Sequence, residues 1–454
     1  MRKKIKSGLT IRSIWLSLLI STTIFLSGCA LNIDVQDIYR QIVNQISPQP
    51  SPAPFEASPS PQPELTTTPG VEGTPSPETP TILELEIWLP QQFDPNSGSP
   101  AGKLLNQRIK QFESQNEDVF INVRIKPISG PTSMLEALTI TNEAAQAAMP
   151  SMVALSRSDL SNAVTQQLVY SFDPYSSMID EDDWYQYARN LTIVGGSSYG
   201  LPFAGDSLIL LNRPEIIGNQ PVTWADVLRR GEPLSFPASD AQSLFTMALY
   251  QAAGGNLENA QRLPQLDLEI LTQVFQLFAD GGQTGVFPLW TTELQKDSEA
   301  WTAYNELRSN WVITWSTRFL QDPISDTAPL VFPIIKDSPV SIVDGWVWSI
   351  TDPNMDHHAL IAELIEFLTA PDFLRTWSPA TGVLPVRPSS LGGWQGQNLV
   401  NMLNQVALSS RVKPRNEVIT TLGPLLMEQV VLILSGKTTA PIAAQTVIDK
   451  LGNP

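Results

Sequence analysis

Cysteine is nearly absent from this chain of 454 residues, which holds one, Cys29. A single thiol excludes an internal disulfide and a thiolate zinc site. Histidine is almost as scarce, with two residues, the adjacent His357 and His358. Adjacent side chains on a helix point about 100° apart, so the pair is poorly placed to chelate one ion and reads as a solvated helix start. Charge is sparse at 16%, and basic charge sparser: 28 Lys and Arg stand against 45 Asp and Glu, for a net charge of −17. Nucleic acid and an anionic bilayer surface both repel such a body. The sequence has no Gly-x-x-x-x-Gly-Lys loop and no dinucleotide fingerprint after a strand, so neither phosphate cradle is present. No cofactor and no metal are expected. What is there is 42% hydrophobic residues and 12 Trp in 49.9 kDa, enough for about two to three lobes or domains.

The basic residues are unevenly placed. Arg2, Lys3, Lys4, Lys6 and Arg12 precede Cys29 with no acid among them. The apolar run Ile14–Phe25 follows, 12 residues broken only by Ser and Thr. At ~1.5 Å per residue it is too short for a hydrocarbon core of ~30 Å. A basic start, a short apolar core and small residues at its end describe a secretory signal over residues 1–28. Its end, Leu26-Ser27-Gly28-Cys29, resembles the bacterial lipobox, which implies that Cys29 carries a lipid. No later segment is expected to be long and apolar enough to span a membrane, so that lipid would be the anchor. Residues 31–46 place Ile33, Ile38, Ile42, Val43 and Ile46 near helical spacing, as in a short amphipathic helix. In Ser47–Pro80, eleven of 34 residues are Pro. Such a stretch has nothing to build a core from and, as polyproline II, would reach about 100 Å. Residues 29–80 thus read as an anchored N-terminus and tether.

From residue 81 to 454 the pattern is globular. Ile82–Leu89 alternates as a strand, Ala101–Gln115 has a helical apolar face, Val119–Ile128 is a strand, Met134–Ala148 a helix, Ser151–Leu155 a strand and Ser156–Leu168 a helix. This β-α-β-α-β-α order predicts an α/β lobe with a mainly parallel sheet. Ser198–Asn212 reads as strand, break, strand; Trp224–Arg230, Ser243–Ala253 and Glu269–Gly281 as helices, the last ending at a Gly pair; Trp301–Ser309 as a helix; and Val312–Trp315, Pro329–Ile335 and Ser341–Ile350 as strands. His357–Thr369, a helix begun by Pro371, Leu422–Leu434 and Pro441–Leu451 follow as helices.

Few motifs carry chemistry. Gly205-Asp206-Ser207-Leu208 matches the nucleophile block of one esterase family. A serine nucleophile needs a base and an orienting acid, yet Asn354 and Met355 stand where that family's Asp-x-x-His pair would put its acid. Asp94-Pro95-Asn96-Ser97-Gly98 is half a calcium loop without its closing acid and reads as a turn. Glu181-Asp182-Asp183 reads as a solvated acidic turn opening a helix. A carboxylate pair for glycoside hydrolysis is a property of the fold and stays open. No catalytic residue is assigned. Trp290, Trp301, Trp311, Trp315, Trp346, Trp348 and Trp377 crowd the later part of the chain. They serve either as core or as flat platforms for the C–H face of a pyranose ring. Trp346 and Trp348 share one strand face.

Several segments, taken in order, resemble the extracellular solute-binding proteins of ABC importers, of the larger kind that includes sugar binders (family 1). They are Leu85-Glu86-Ile87-Trp88, Tyr199-Gly200-Leu201-Pro202-Phe203 with Leu210-Leu211-Asn212, Pro221-Val222-Thr223-Trp224, Asp344-Gly345-Trp346 through Ile350, Ala362–Thr369, and Thr381-Gly382-Val383-Leu384-Pro385-Val386-Arg387. Asp344 replaces the usual second Gly, and Leu307–Ile313 departs from the usual strand, which opens the site to solutes other than a plain sugar. The resemblance implies a two-lobed, periplasmic-binding-protein-like α/β fold of type II, closing on its ligand by hinge motion. Lobe one would comprise about 82–204 and 328–375, and lobe two about 205–327 and 376–454. The ligand-binding candidates it implies are Gln91, Phe93, Ser156, Asp159, Asp206, Trp290, Trp315, Asp344, Gly345 and Trp346. The expected partners are a small-molecule solute and a membrane permease, with a lipid anchor holding a monomer on the extracytoplasmic face of a bacterial membrane. A secreted hydrolase, or an orphan sensor or scaffold, is the alternative.

Overall fold

The computed structural model describes residues 82–452. The signal, Cys29, the 31–46 segment and the proline-rich stretch lie outside them. Strands β1 (Leu83–Pro90), β2 (Val119–Lys126) and β3 (Met152–Ser156) alternate with helices α1 (Pro100–Gln115), α2 (Met134–Ala144) and α3 (Arg157–Thr165), in the expected order. β1 pairs in parallel with β2 and with β3. The helix starts follow from the sequence: Ser99 Oγ accepts from the Gly102 amide with Pro100 in the first turn, and Ser156 Oγ accepts from the Asp159 amide, satisfying amides that have no helical partner.

After α4 (Gln186–Thr192) and a small hairpin, β4 (Ile193–Val194) with β5 (Ser197–Ser198), comes β6 (Leu201–Asn212). The expected break falls at Tyr199 and Gly200, between β5 and β6. β6 runs unbroken for 12 residues, because Gly205 is not a turn residue. A Cβ there would stand 2.4 Å from the hydroxyl of Tyr187, so glycine makes room for a buried ring. The second half of the chain supplies α5 (Pro214–Ile217), α6 (Trp224–Arg230), β7 (Leu234–Ser235), α7 (Leu244–Ala252), α8 (Leu268–Thr284), α9 (Asp297–Asn305), β8 (Trp311–Trp315), α10 (Ser316–Gln321) and β9 (Ala328–Leu330). β10 (Ser341–Ile350), α11 (His358–Leu368), α12 (Pro371–Thr381), α13 (Gln397–Ser409), β11 (Ser410–Val412), α14 (Asn416–Leu434) and α15 (Ala440–Gly452) complete it. α8 runs through the Gly pair expected to end it and stops at Gly285, in the left-handed region at φ 82°. Of the strand expected over Pro329–Ile335, the start pairs with β6 and Ile334 makes an isolated bridge to Thr223; between them Pro333 has no N–H to give a ladder.

The strands order as β2-β1-β3-β10-β6-β8-β7, with β11 beside β10 and β9 beside β6. β2-β1-β3, β7-β8 and β10-β11 pair in parallel; β10 runs antiparallel to both β3 and β6. β6 changes partner midway. Its residues to Ser207 pair with β10, and those from Leu208 pair with β8. Beyond that point its side chains divide between two cores: Ile209 and Leu211 enter one, Leu208 and Leu210 the other. Alternation along a strand buried on both faces produces this division. The first core gathers Ile87, Ile109, Leu155 and Trp348; the second gathers Trp224, Phe275, Trp311 and Val447. Trp377, Leu384, Leu403 and Val406 belong to the first core, whereas α14 and α15 pack in the second.

One expectation is corrected here. Among the described residues, α14 is long and apolar enough to cross a membrane. It is a core helix instead: Val418, Leu422, Leu426 and Val430 are buried in the second core, and Gly423 lies against the Ala241 carbonyl, where a Cβ would come to 2.1 Å.

Candidate ligand cleft

The sheet register gathers the site. Asp344 lies opposite Asp206, Trp346 opposite both Ala204 and Ser156, and Leu208 opposite Trp315. Residues opposed across antiparallel strands, and residues two apart on one strand, share a face. Ser156, Trp346, Asp344, Asp206 and Trp315 therefore stand on one face, where β6 changes partner. A pocket of 220 Å³ opens there, lined by Gln92, Ser156, Asp206, Trp315, Asp344, Gly345 and Trp346. Six of the ten candidates thus meet in one place. Gly345 contributes backbone, since a Cβ would stand 2.4 Å from Leu191 Cδ1 and 2.7 Å from the Ala204 carbonyl.

The other four are placed differently. Gln91 is exposed on the 3-10 turn after β1, and its neighbour Gln92 lines the pocket. Phe93 is buried below, its ring edge-on to Trp346 at 5.5 Å between centroids. Asp159 sits in the first turn of α3. Burial raises its pKa; the bond with Ser156 opposes this, Asp344 adds to it and Lys413 opposes it. Trp290 lies outside the pocket, under the Arg308 guanidinium at 4.3 Å. Trp346 and Trp348 share a face as expected, but Trp348 is buried against Phe203 at 4.6 Å, and only Trp346 reaches the pocket.

Asp206 is the most constrained acid. Its Oδ1 accepts from Ser316 Oγ and the Thr317 amide at 2.9 Å each, and its Oδ2 accepts from Thr317 Oγ1 at 2.6 Å. Burial pushes its carboxyl up to about 6 against the pull of those bonds, with Asp297 adding to the rise. Asp344 accepts from the Gly345 amide at 2.8 Å and pairs with Lys413 at 3.6 Å. Ser316, Thr317 and Lys413 were missed. The first two follow Trp315 directly, at a strand-to-helix junction of the kind that marks sites in α/β sheets. Lys413 carries no such local signal.

Ser207 does not face this pocket. It is fully buried, and its Oγ lies 2.9 Å from Ser410 Oγ and donates within 3.2 Å toward Ser341 Oγ and the Ile342 carbonyl. The histidines are engaged elsewhere: His357 Nδ1 with Asp352 at 2.9 Å, and His358 with Tyr175 Oη and the Asp352 carbonyl. His358 is buried, not solvated as expected. Glu181 and Asp183 are likewise not merely a solvated turn; they pair with the buried Arg387 at 3.1 and 3.6 Å. Ser207→Ala is expected to lower stability by about 1–2 kcal/mol and to leave any ester hydrolysis by the preparation unchanged. Thermal unfolding with a chromogenic ester assay checks both. Among the described residues, no three of His, Cys, Asp and Glu stand together to hold a metal ion.

Two cores joined by crossing strands, with polar and aromatic side chains gathered at the crossing, define a two-lobed binding fold. The chain belongs to the bacterial extracellular solute-binding protein family, whose sequence model matches residues 107–402. That family works outside the cytoplasm. Solved structures agree on the fold. The cyclic α-maltosyl-1,6-maltose binding protein of Arthrobacter globiformis superposes with a TM-score of 0.66 at 16% identity, over 82% of this chain and 99% of that one. The maltose-binding MalE of Listeria monocytogenes, in complex with maltose, gives 0.67 at 13%, over 81% and 96%. The GacH receptor of Streptomyces glaucescens gives 0.60 at 14%, over 81% and 98%. No protein of curated function matches the sequence.

Proposed function

We propose that this protein is a lipid-anchored receptor that captures a sugar or glycoside in the cleft and delivers it to the permease of an ABC importer, without turning it over. The observation that carries the reading is the convergence of Trp315, Trp346, Asp206 and Asp344 on one face at the crossing. The two indoles stack the ligand's C–H face, while the carboxylates accept its hydroxyl hydrogens. Gln92, Ser156 and Gly345 complete that wall, Asp159 lies behind it, and Phe93 holds Trp346 from below. Gln91 and Trp290 join only as the lobes close. We divide the lobes at β6 and β10, with residues 371–409 joining the first, in keeping with their core contacts. Cys29 carries the lipid, and the proline-rich stretch lets a monomeric receptor swing to its permease. The solutes named for the three similar structures, maltose, a cyclic maltosyl-maltose and acarbose, support a glycoside.

The test is a thermal-shift screen of the full chain against mono-, di- and oligosaccharides, amino acids and polyamines. A ligand at 100 times its Kd adds ~2.7 kcal/mol of stability. A saturable shift with the saccharide recovered intact is the expected result. Consumption of the ligand overturns the reading in favour of a hydrolase. Binding without association to a permease in co-purification overturns delivery in favour of a sensor.

A further inference from the structure

A second cavity, of 680 Å³, shares no lining residue with the cleft pocket. Both cores wall it. Phe319 and Met402, with Leu399 packed beside them, belong to the first core, and Leu330 and Phe332 to the second. It lies beside the far end of β6, where β9 pairs with Leu210, Leu211 and Asn212, beyond the residues that form the cleft. Its volume falls within the ~300–1,000 Å³ of ligand sites.

The lining chemistry is distinctive. No Asp, Glu, Lys, Arg or His lines it, in a chain whose net charge is −17. The cleft pocket, by contrast, is lined by two carboxylates, Asp206 and Asp344. Polar character here comes from amides: Asn398, Asn401 and Gln405 on α13, with Gln220 from the loop before α6. Positions 398, 401 and 405 fall on one helical face. All four amides are exposed at the rim of the cavity; Asn398, Gln405 and Gln220 make no side-chain hydrogen bond to another described residue, and Asn401 spends only its oxygen, on Gln397, so a ligand would exchange water for them. Each amide offers both a donor and an acceptor. Phenylalanine, leucine, methionine, valine, isoleucine, alanine and proline supply the apolar wall, and Thr327 adds a hydroxyl. A charged ligand would meet no counter-charge against this apolar wall. A neutral ring bearing an amide or hydroxyl loses nothing it cannot recover.

We propose that this cavity is a second ligand site, for an uncharged small molecule with an apolar ring and an amide or hydroxyl group. Because its walls come from both cores, occupancy favours one lobe arrangement and so couples to the cleft. The coupling rests on the two-lobe reading above; the binding does not.

The probe is N-benzylacetamide, with benzoate and benzylammonium as charged controls, titrated into the full chain by ligand-observed NMR. Saturable binding of the neutral probe, at least tenfold tighter than either control, is expected. Asn401→Trp, which fills the cavity from an exposed helix position, should abolish binding, and Trp346→Ala in the cleft should preserve it. Gln405→Trp repeats the test should Asn401→Trp fail to fold. No saturation up to about 10 mM, equal binding of the charged controls, or loss in Trp346→Ala with retention in Asn401→Trp would each overturn the site. Saturating the cleft with the saccharide found by the thermal screen should shift the probe's Kd about fivefold or more; an unchanged Kd would overturn the coupling. Failure of that screen leaves the probe result standing, so the two readings fail separately.

Discussion

Trp346→Ala is expected to weaken saccharide binding about a hundredfold while lowering stability only modestly. The indole stands at the pocket, opposite Ser156 and two residues from Asp344. Its orientation is held by Phe93, edge-on at 5.5 Å. A rigid, pre-oriented aromatic platform of this kind contributes about 2–3 kcal/mol to binding when truncated, which is the stated fold-change. The control is Trp348→Ala, two residues along the same strand. Trp348 is 2% exposed and stacked on Phe203, so its truncation leaves a core cavity and costs about 3–5 kcal/mol of stability. Calorimetric titration and thermal unfolding of both variants separate the roles. Wild-type affinity in Trp346→Ala would remove the cleft from the mechanism.

Asp206→Asn is expected to stabilise the protein at pH 8 by about 2 kcal/mol and to remove a pH dependence of ligand binding near 6. Burial pushes the Asp206 carboxyl up to about 6, from an ordinary value of 3.8. Between those values the folded chain holds a proton that the unfolded chain has released. Stability from this group is therefore fully present below about 3.8 and is lost as pH rises through 6. Two pKa units correspond to about 2–3 kcal/mol, discounted because the carboxylate meets solvent at the pocket. Asparagine keeps the geometry: its Oδ1 accepts from Ser316 and the Thr317 amide, and its Nδ2 donates to Thr317 Oγ1. Other groups face Asp206 as well. Asp297 adds to the rise, Asp344 lies opposite in register, and Tyr187 is itself raised well above its ordinary range, by burial first and by Tyr185 and Asp206 after it. Other carboxylates also titrate, so the quantity to follow is the stability difference between variant and wild type from pH 4 to 8. It should grow as pH rises and level off above 6. Wild-type affinity for a hydroxyl-bearing ligand should fall below pH 6, as the acceptor is protonated, while the variant's weaker affinity stays flat. A constant stability difference across that range would show that Asp206 is not held near 6.

Local patterning carried most of the secondary structure. Trp224–Arg230 matches to the residue, and there Thr223 and Asp226 form a capping box, a signal complete within four positions. Where the reading failed, the cause was contact from afar. Gly205 stands in a Gly-Asp-Ser-Leu block that suggested chemistry, and it is a packing residue because Tyr187 lies over it. Gly281 and Gly282 look like a helix end, and α8 passes through them. α10 and α13 carry no such signal: the first is 6 residues long, and neither has a side-chain cap.

By itself the sequence determined the class of the molecule. A single cysteine leaves no pair for an internal disulfide, and the order of short motifs led to the two-lobed family. Those are properties of composition and local order, which survive without coordinates. Which aromatics serve the cleft was decided only by tertiary structure. Trp315, Trp346, Trp348 and Trp290 are alike in sequence, and the pairing of β10 with β3 and β6, and of β6 with β8, separates them. Register joins residues more than a hundred positions apart, and a slip of one residue would turn each of these side chains to the opposite face. No local signal specifies that choice; burial of both faces of β6 in two cores does.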